Sequence, residues 1–135
     1  MRISSADSKN SWIEIQRNED DDFSSFLFRV AIDIGHGNFS ACNNSLNFLN
    51  LRGFAEEVDQ FVLRRDIQPF LEGTYDSYLR LRQTNNNEVL ISFCIGDAFC
   101  GWENTAEFKL QGEFPIEQDI LTTLASAFMS LAKGA

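Results

Sequence analysis

The stretch Phe26–Ile34, FLFRVAIDI, decides the fold class. Phe26, Phe28, Val30, Ile32 and Ile34 fall on one face of an extended chain, and Leu27, Arg29, Ala31 and Asp33 on the other. That period of two is what a half-buried β-strand requires. The pattern recurs in WIEIQ (12–16), in NFSAC running towards LNFLN (38–50), in YLRLRQ (78–83), in EVLISFCI (88–95) and in AEFKLQGEF (106–114). Between two of these, TNNNE (84–88) reads as a hairpin turn, because Asn tolerates the positive φ of tight turns.

Two segments carry a helical period instead. After Asn50, which suits a helix start, Leu51, Phe54, Val58, Phe61 and Val62 form one apolar stripe. Glu56 and Glu57 come early in it and Arg64 and Arg65 late, as a helix dipole favours. Pro115 suits the first turn of a second helix or the position just before it, and the helix's stripe is Ile116, Ile120, Leu124, Ala127, Phe128 and Leu131, with Gly134 as its stop. Each amphipathic helix needs an apolar partner surface, and the strand faces offer one.

The expected fold is therefore α+β in a single domain, 1–135, with a roughly six-stranded, mainly antiparallel sheet, two helices on one face and the order βββα-βββα. Ile34-Gly35 stands before the first helix about as Ile95-Gly96 stands before the second, a spacing consistent with an internal duplication of 11–65 and 74–133. At 135 residues and 44% hydrophobic content the chain can bury one core without metals or disulfides, and its 13 phenylalanines favour a sheet covered by helices.

The net charge of −9, from 20 acidic and 11 basic residues, argues against nucleic-acid binding, which needs clustered Lys and Arg. No apolar run reaches the roughly eighteen residues of a membrane helix, and MRISSADSKNSW lacks a signal-peptide core. A soluble, cytoplasmic protein with no membrane partner is expected, and its three cysteines should be reduced thiols.

The densest chemistry lies in FCIGDAFCGWEN (93–104). Val89, Ile91, Phe93 and Ile95 share one strand face, which leaves Cys94 with Leu90 and Ser92 on the other, as half-buried packing. Cys94 and Cys100 are six residues apart, which fits neither zinc-knuckle nor redox spacing, so no metal and no cofactor is expected. Residues 96–104 are expected to form an exposed loop in which Asp97 and Glu103 are surface carboxylates. Trp102 in that loop is either an interface anchor or a ring folded onto the sheet edge.

His36, the single histidine, stands in GHGN, which spells a tight turn and no phosphate loop; no catalytic residue is assigned to it or to any other position. NEDDD (18–22), with Glu19, Asp20, Asp21 and Asp22, reads either as a solvated turn that discourages edge aggregation or as an acidic patch steering a basic partner.

The hairpin YLRLRQTNNNEVLISFCI (78–95) followed by AEFKLQGEFPIEQDILTTLASAF (106–128) resembles small bacterial immunity proteins of the WapI type over the last 65 or so residues. Asn85, Asn86 and Asn87 stand where that family more usually has an Asp-x-x-Gly turn. The resemblance implies an antiparallel sheet closed by a C-terminal helix beginning near Glu113 or Glu117, in a cytoplasmic antidote that binds and blocks a toxin domain without catalysis.

The expected function is a non-catalytic protein-binding module, an immunity-like inhibitor of a basic toxin domain, with Glu19, Asp20, Asp21, Asp22, Asp97, Trp102 and Glu103 as its interface. The alternative is a small-ligand domain or enzyme using an open sheet face and the 96–104 loop. A third reading is homodimerisation through an exposed sheet face or edge.

Overall fold

FLFRVAIDI forms the expected strand, but its last inward-facing residue does not reach the core. In the computed structural model, which describes residues 1–19, 24–100 and 105–133, Phe26, Phe28 and Val30 are buried, Ile32 is half-buried and Ile34 is half exposed. This strand, β3 (Phe26–Asp33), lies third in an antiparallel sheet with β1 (Arg2–Ser4), β2 (Trp12–Arg17) and β4 (Asn38–Leu46), in the order β1-β2-β3-β4. Its turn into β4 closes when the Ile34 amide donates to the Gly37 carbonyl at 3.0 Å, with Gly35 at φ 86° and His36 exposed.

After α1 (Leu51–Phe61) a second antiparallel sheet follows, β5 (Phe70–Glu72), β6 (Tyr78–Gln83), β7 (Val89–Cys100) and β8 (Thr105–Ile116), paired in chain order. A 3-10 turn (Gln118–Ile120) then leads into α2 (Leu121–Lys133). The turn from β6 to β7 is the expected one, with Asn87 at φ 62° and the Thr84 amide donating to the Glu88 carbonyl.

The class is α+β and antiparallel, but one six-stranded sheet is replaced by two four-stranded ones and the order is ββββα-ββββα. The added strands β1 and β5 have three residues each, too short for alternation to register. The sheets meet where Phe48 bridges Gly73, flanked by hydrogen bonds from Leu49 to Glu72 and from Thr74 to Asn47.

Three local expectations change. Asn50 precedes α1 but makes no side-chain cap; its amide donates to the Phe70 carbonyl at 2.7 Å and accepts from the Glu72 amide at 2.8 Å, lacing β5 to the helix start. Arg64 and Arg65 lie beyond the helix, where Arg65 still donates to the Val62 carbonyl. Pro115 and Ile116 belong to β8 and not to the helix, and of the two glutamates expected near its start Glu117 stands just ahead of the 3-10 turn while Glu113 lies in β8.

Pro115 is tolerated in β8 because it faces the free edge, where its carbonyl accepts from the Ala6 amide at 2.8 Å and no ladder N–H is lost. Leu121 and Ala125 join Leu124 and Phe128 as the buried face of α2, while Ala127 and Leu131 are half-buried.

Buried apolar side chains from both sheets and both helices form one cluster. The helices meet at Phe54 and Phe128, whose rings stand perpendicular at 4.7 Å, a favoured edge-to-face geometry. Phe93 lies opposite Gly112 across the ladder, and a side chain at that glycine would come within 3.1 Å of the Phe93 ring.

Candidate functional site

β7 and β8 have 12 residues each, yet β6 pairs only with Val89–Cys94 of β7. The remainder, from Ile95 to Cys100 and back from Thr105 to Leu110, is a two-stranded arm running past the end of β6. Residues 96–100, expected to lie in a loop, are therefore strand, because alternation is masked where the apolar residues stop repeating.

Gly96 seats the arm. A Cβ there would lie 2.1 Å from the Tyr75 carbonyl oxygen, so only glycine lets the turn between β5 and β6 cross the strand so closely. Tyr75 and Asp76 both hold positive φ, 57° and 60°, in a turn closed from Ser77 to Thr74. The Gly96 amide donates to the buried Ser77 hydroxyl and its carbonyl accepts from the buried Asn43 side chain, both at 2.9 Å.

Between this arm and β4 runs a cleft of about 350 Å³, walled by Ile95, Phe108 and Leu110 on one side and Ser40, Ala41 and Cys42 on the other, with Asp97 and Lys109 at its border. Asp97 is exposed and accepts from the Ala98 amide at 2.8 Å, and Phe108 is 65% exposed. Lys109 pairs with Asp76 at 2.7 Å, which raises its pKa. Phe39 and Ile34, half exposed beside Gly37 at the start of β4, are further apolar surface.

β4 also leaves its edge open. The Ile34–Gly37 bond fixes the phase of the β3–β4 ladder, so the backbone groups of Ser40 and Cys42 point away from β3. A second recess of about 350 Å³ shares Ser40, Ala41 and Cys42 and reaches Trp12 and Arg29 on the outer face of the first sheet. There Glu14 is buried between two guanidiniums, bonded by Arg29 and by Arg2 at 2.9 Å, while Arg2 stacks 3.9 Å above the Trp12 ring. Hydrogen bonds from Arg29, then Arg2, hold the Glu14 carboxyl below its ordinary value against the upward push of burial. Sequence reading missed this group, although Arg2, Glu14 and Arg29 share one cross-strand row.

Of the residues expected at an interface, Asp97 borders the cleft and Glu19 is exposed. Asp20, Asp21, Asp22, Trp102 and Glu103 lie outside the described residues. Cys94 is fully buried on the outer face, where half-burial was expected, and desolvation raises its thiol pKa; Cys42 is exposed, and both are free. Among the described residues no three His, Cys, Asp or Glu side chains converge as a metal site. Among the described residues no helix is long and apolar enough to cross a membrane.

A larger groove lies elsewhere, about 670 Å³ between residues 4–9 and the start of α2, with Met1, Ile120, Leu124 and Ala127 as apolar lining and Asp7, Lys9, Glu117 and Thr123 as polar lining.

Comparison with protein-family models, with curated proteins and with solved structures gave no match.

Proposed function

We propose that this chain is a non-catalytic protein-binding module that engages a basic partner, an immunity-like inhibitor of a basic toxin domain acting in the cytoplasm. The observation that carries the reading is Asp97, an exposed carboxylate at a cleft of about 350 Å³ whose arm side is lined by Ile95, Phe108 and Leu110, next to the unpaired edge of β4. A Lys or Arg side chain fits such a place, because its aliphatic stem packs on Phe108 and Leu110 while its charge meets the carboxylate. The surplus of nine negative charges favours encounter with a basic protein, and the resemblance to WapI-type immunity proteins points the same way.

The test is capture of a partner from the source cell, followed by binding kinetics with wild type and Asp97→Asn. The proposal expects a basic protein whose affinity falls roughly tenfold or more with the variant, the size of a lost charge-assisted contact. An acidic partner, or a basic one indifferent to Asp97→Asn, would remove it.

A small-ligand role is the second reading, and its place is the groove of about 670 Å³ beside α2, within the size range of ligand pockets. Capture of a metabolite with no protein would favour it, and Thr123→Trp, which fills the groove, should then abolish binding.

A further inference from the structure

The free edge of β8 is self-complementary in charge and register, and we propose that two copies of this chain pair through it. Gly96 directs its backbone groups away from β8, to Ser77 and Asn43, so its ladder partner Lys109 directs its own away from β7. Alternation then turns Glu107, Lys109, Gln111 and Glu113 outward along the same edge, in phase with Pro115, whose carbonyl already bonds Ala6 there. Among the described residues no backbone partner meets these four.

A twofold axis at Phe108 sets Glu107 of each copy against Lys109 of the other, both as outward-pointing residues, so the antiparallel hydrogen bonds form in the required phase. Both opposed pairs are then oppositely charged. An axis at Lys109 would oppose two lysines, and one at Leu110 would oppose Glu107 to Glu113. An axis at Gln111, although it pairs Lys109 with Glu113, would set Glu107 against Pro115, which has no N–H and whose carbonyl already bonds Ala6, so charge and register together select the Phe108 axis. Phe108 meets its own copy in a non-hydrogen-bonded pair, where cross-strand side chains come closest, and this accounts for a ring left 65% exposed. Lys109 already bonds Asp76 at 2.7 Å, and an ammonium has donors left for a second carboxylate.

Sedimentation velocity over a concentration series tests the dimer independently of any partner protein. Wild type should associate reversibly. Glu107→Lys and Lys109→Glu each oppose like charges twice and should weaken association by roughly tenfold or more, while an equimolar mixture of the two variants should restore it, since each then faces its complement. Gln111→Pro, which removes an outward N–H and leaves the β7 ladder intact, should also block pairing without loss of fold. A wild type monomeric throughout, single variants that dimerise like wild type, or a mixture that stays monomeric would each overturn the proposal.

Discussion

The Nδ2 of Asn43 donates to the carbonyl oxygen of Gly96 across 2.9 Å, a buried bond between residues 53 apart in the chain. Its Oδ1 accepts from the Ser45 amide at 2.9 Å, so both ends of the amide are used. Asn43→Ala leaves a buried carbonyl without a donor and should cost about 1–3 kcal/mol in denaturant unfolding. Asn43→Asp should cost more, since a carboxylate at this site faces the same carbonyl with no proton to give. Equal stability of wild type and Asn43→Asp would show that the bond contributes nothing.

Phe93 is fully buried, packed near Phe114 and given room by Gly112. Phe93→Ala should destabilise by roughly 3–5 kcal/mol through lost transfer energy and a cavity, more than half of what many small domains possess. Gly112→Ala should be milder, because the ring must shift by only tenths of an ångström. Chemical unfolding of both variants checks the order, and a loss below about 1 kcal/mol for Phe93→Ala would place the ring outside the core.

Glu14 makes stability depend on pH. Its folded-state pKa lies below the ordinary value of 4.5, so its contribution is fully present above that value and is lost as pH falls through the folded one. Glu14→Gln removes the titrating group and should flatten the acid limb of the stability profile, at a cost of about 1–3 kcal/mol near neutral pH from weakened bonds to Arg29 and Arg2. Thermal melting of both proteins between neutral and acid pH would sink the idea if the two curves stayed parallel.

Engagement of the proposed basic partner would assign the acidic run and the tryptophan different kinetic roles. Changing Glu19, Asp20, Asp21 and Asp22 to amides should slow association with a basic partner at low salt and reduce its dependence on ionic strength. Trp102→Ala should mainly accelerate dissociation, as loss of a desolvated aromatic anchor does. Association that ignores salt would rule out steering, and unchanged dissociation would rule out the anchor.

Cys42 and Cys94 differ in reach. Cys42 is exposed, whereas Cys94 is buried and its thiol is pushed up by desolvation. In a Cys100→Ser background one thiol should react promptly with an alkylating reagent and the other only on unfolding, and mass mapping should find the prompt one at Cys42. Equal labelling of both would mean that the strand around Cys94 opens readily.

Much of this architecture was legible in the chain because its long elements repeat. FLFRVAIDI, YLRLRQ and the stripe of Leu51–Phe61 each sort apolar residues onto one face, and burial needs only that local sorting, whereas the second helical stripe, expected from Ile116 onward, misses Leu121 and Ala125. The turns at GHGN and TNNNE were legible for the same local reason, since backbone conformation there follows from residue type.

Short or distant relationships were not. RIS and FLE have too few residues to show a period, and they are strands because neighbouring edges pair with them. Asn50 has the residue type of a helix cap, and only the approach of β5 gives its amide other partners. Asp97 read as a loop carboxylate until the 12-residue strands of the arm carried it past β6 to the cleft beside β4.

The sequence by itself determined the α+β class, the inward faces of β6 and α1 and of the first part of β7, and the negative net charge, because periodicity and charge are properties of neighbouring residues. Tertiary structure decided the split into two sheets, the crossing of Tyr75 over Gly96, the burial of Glu14 between Arg2 and Arg29, and the cleft at Asp97. Each of these depends on hydrogen bonds or close approach between segments far apart in the chain, and no local pattern encodes which distant partner a residue meets.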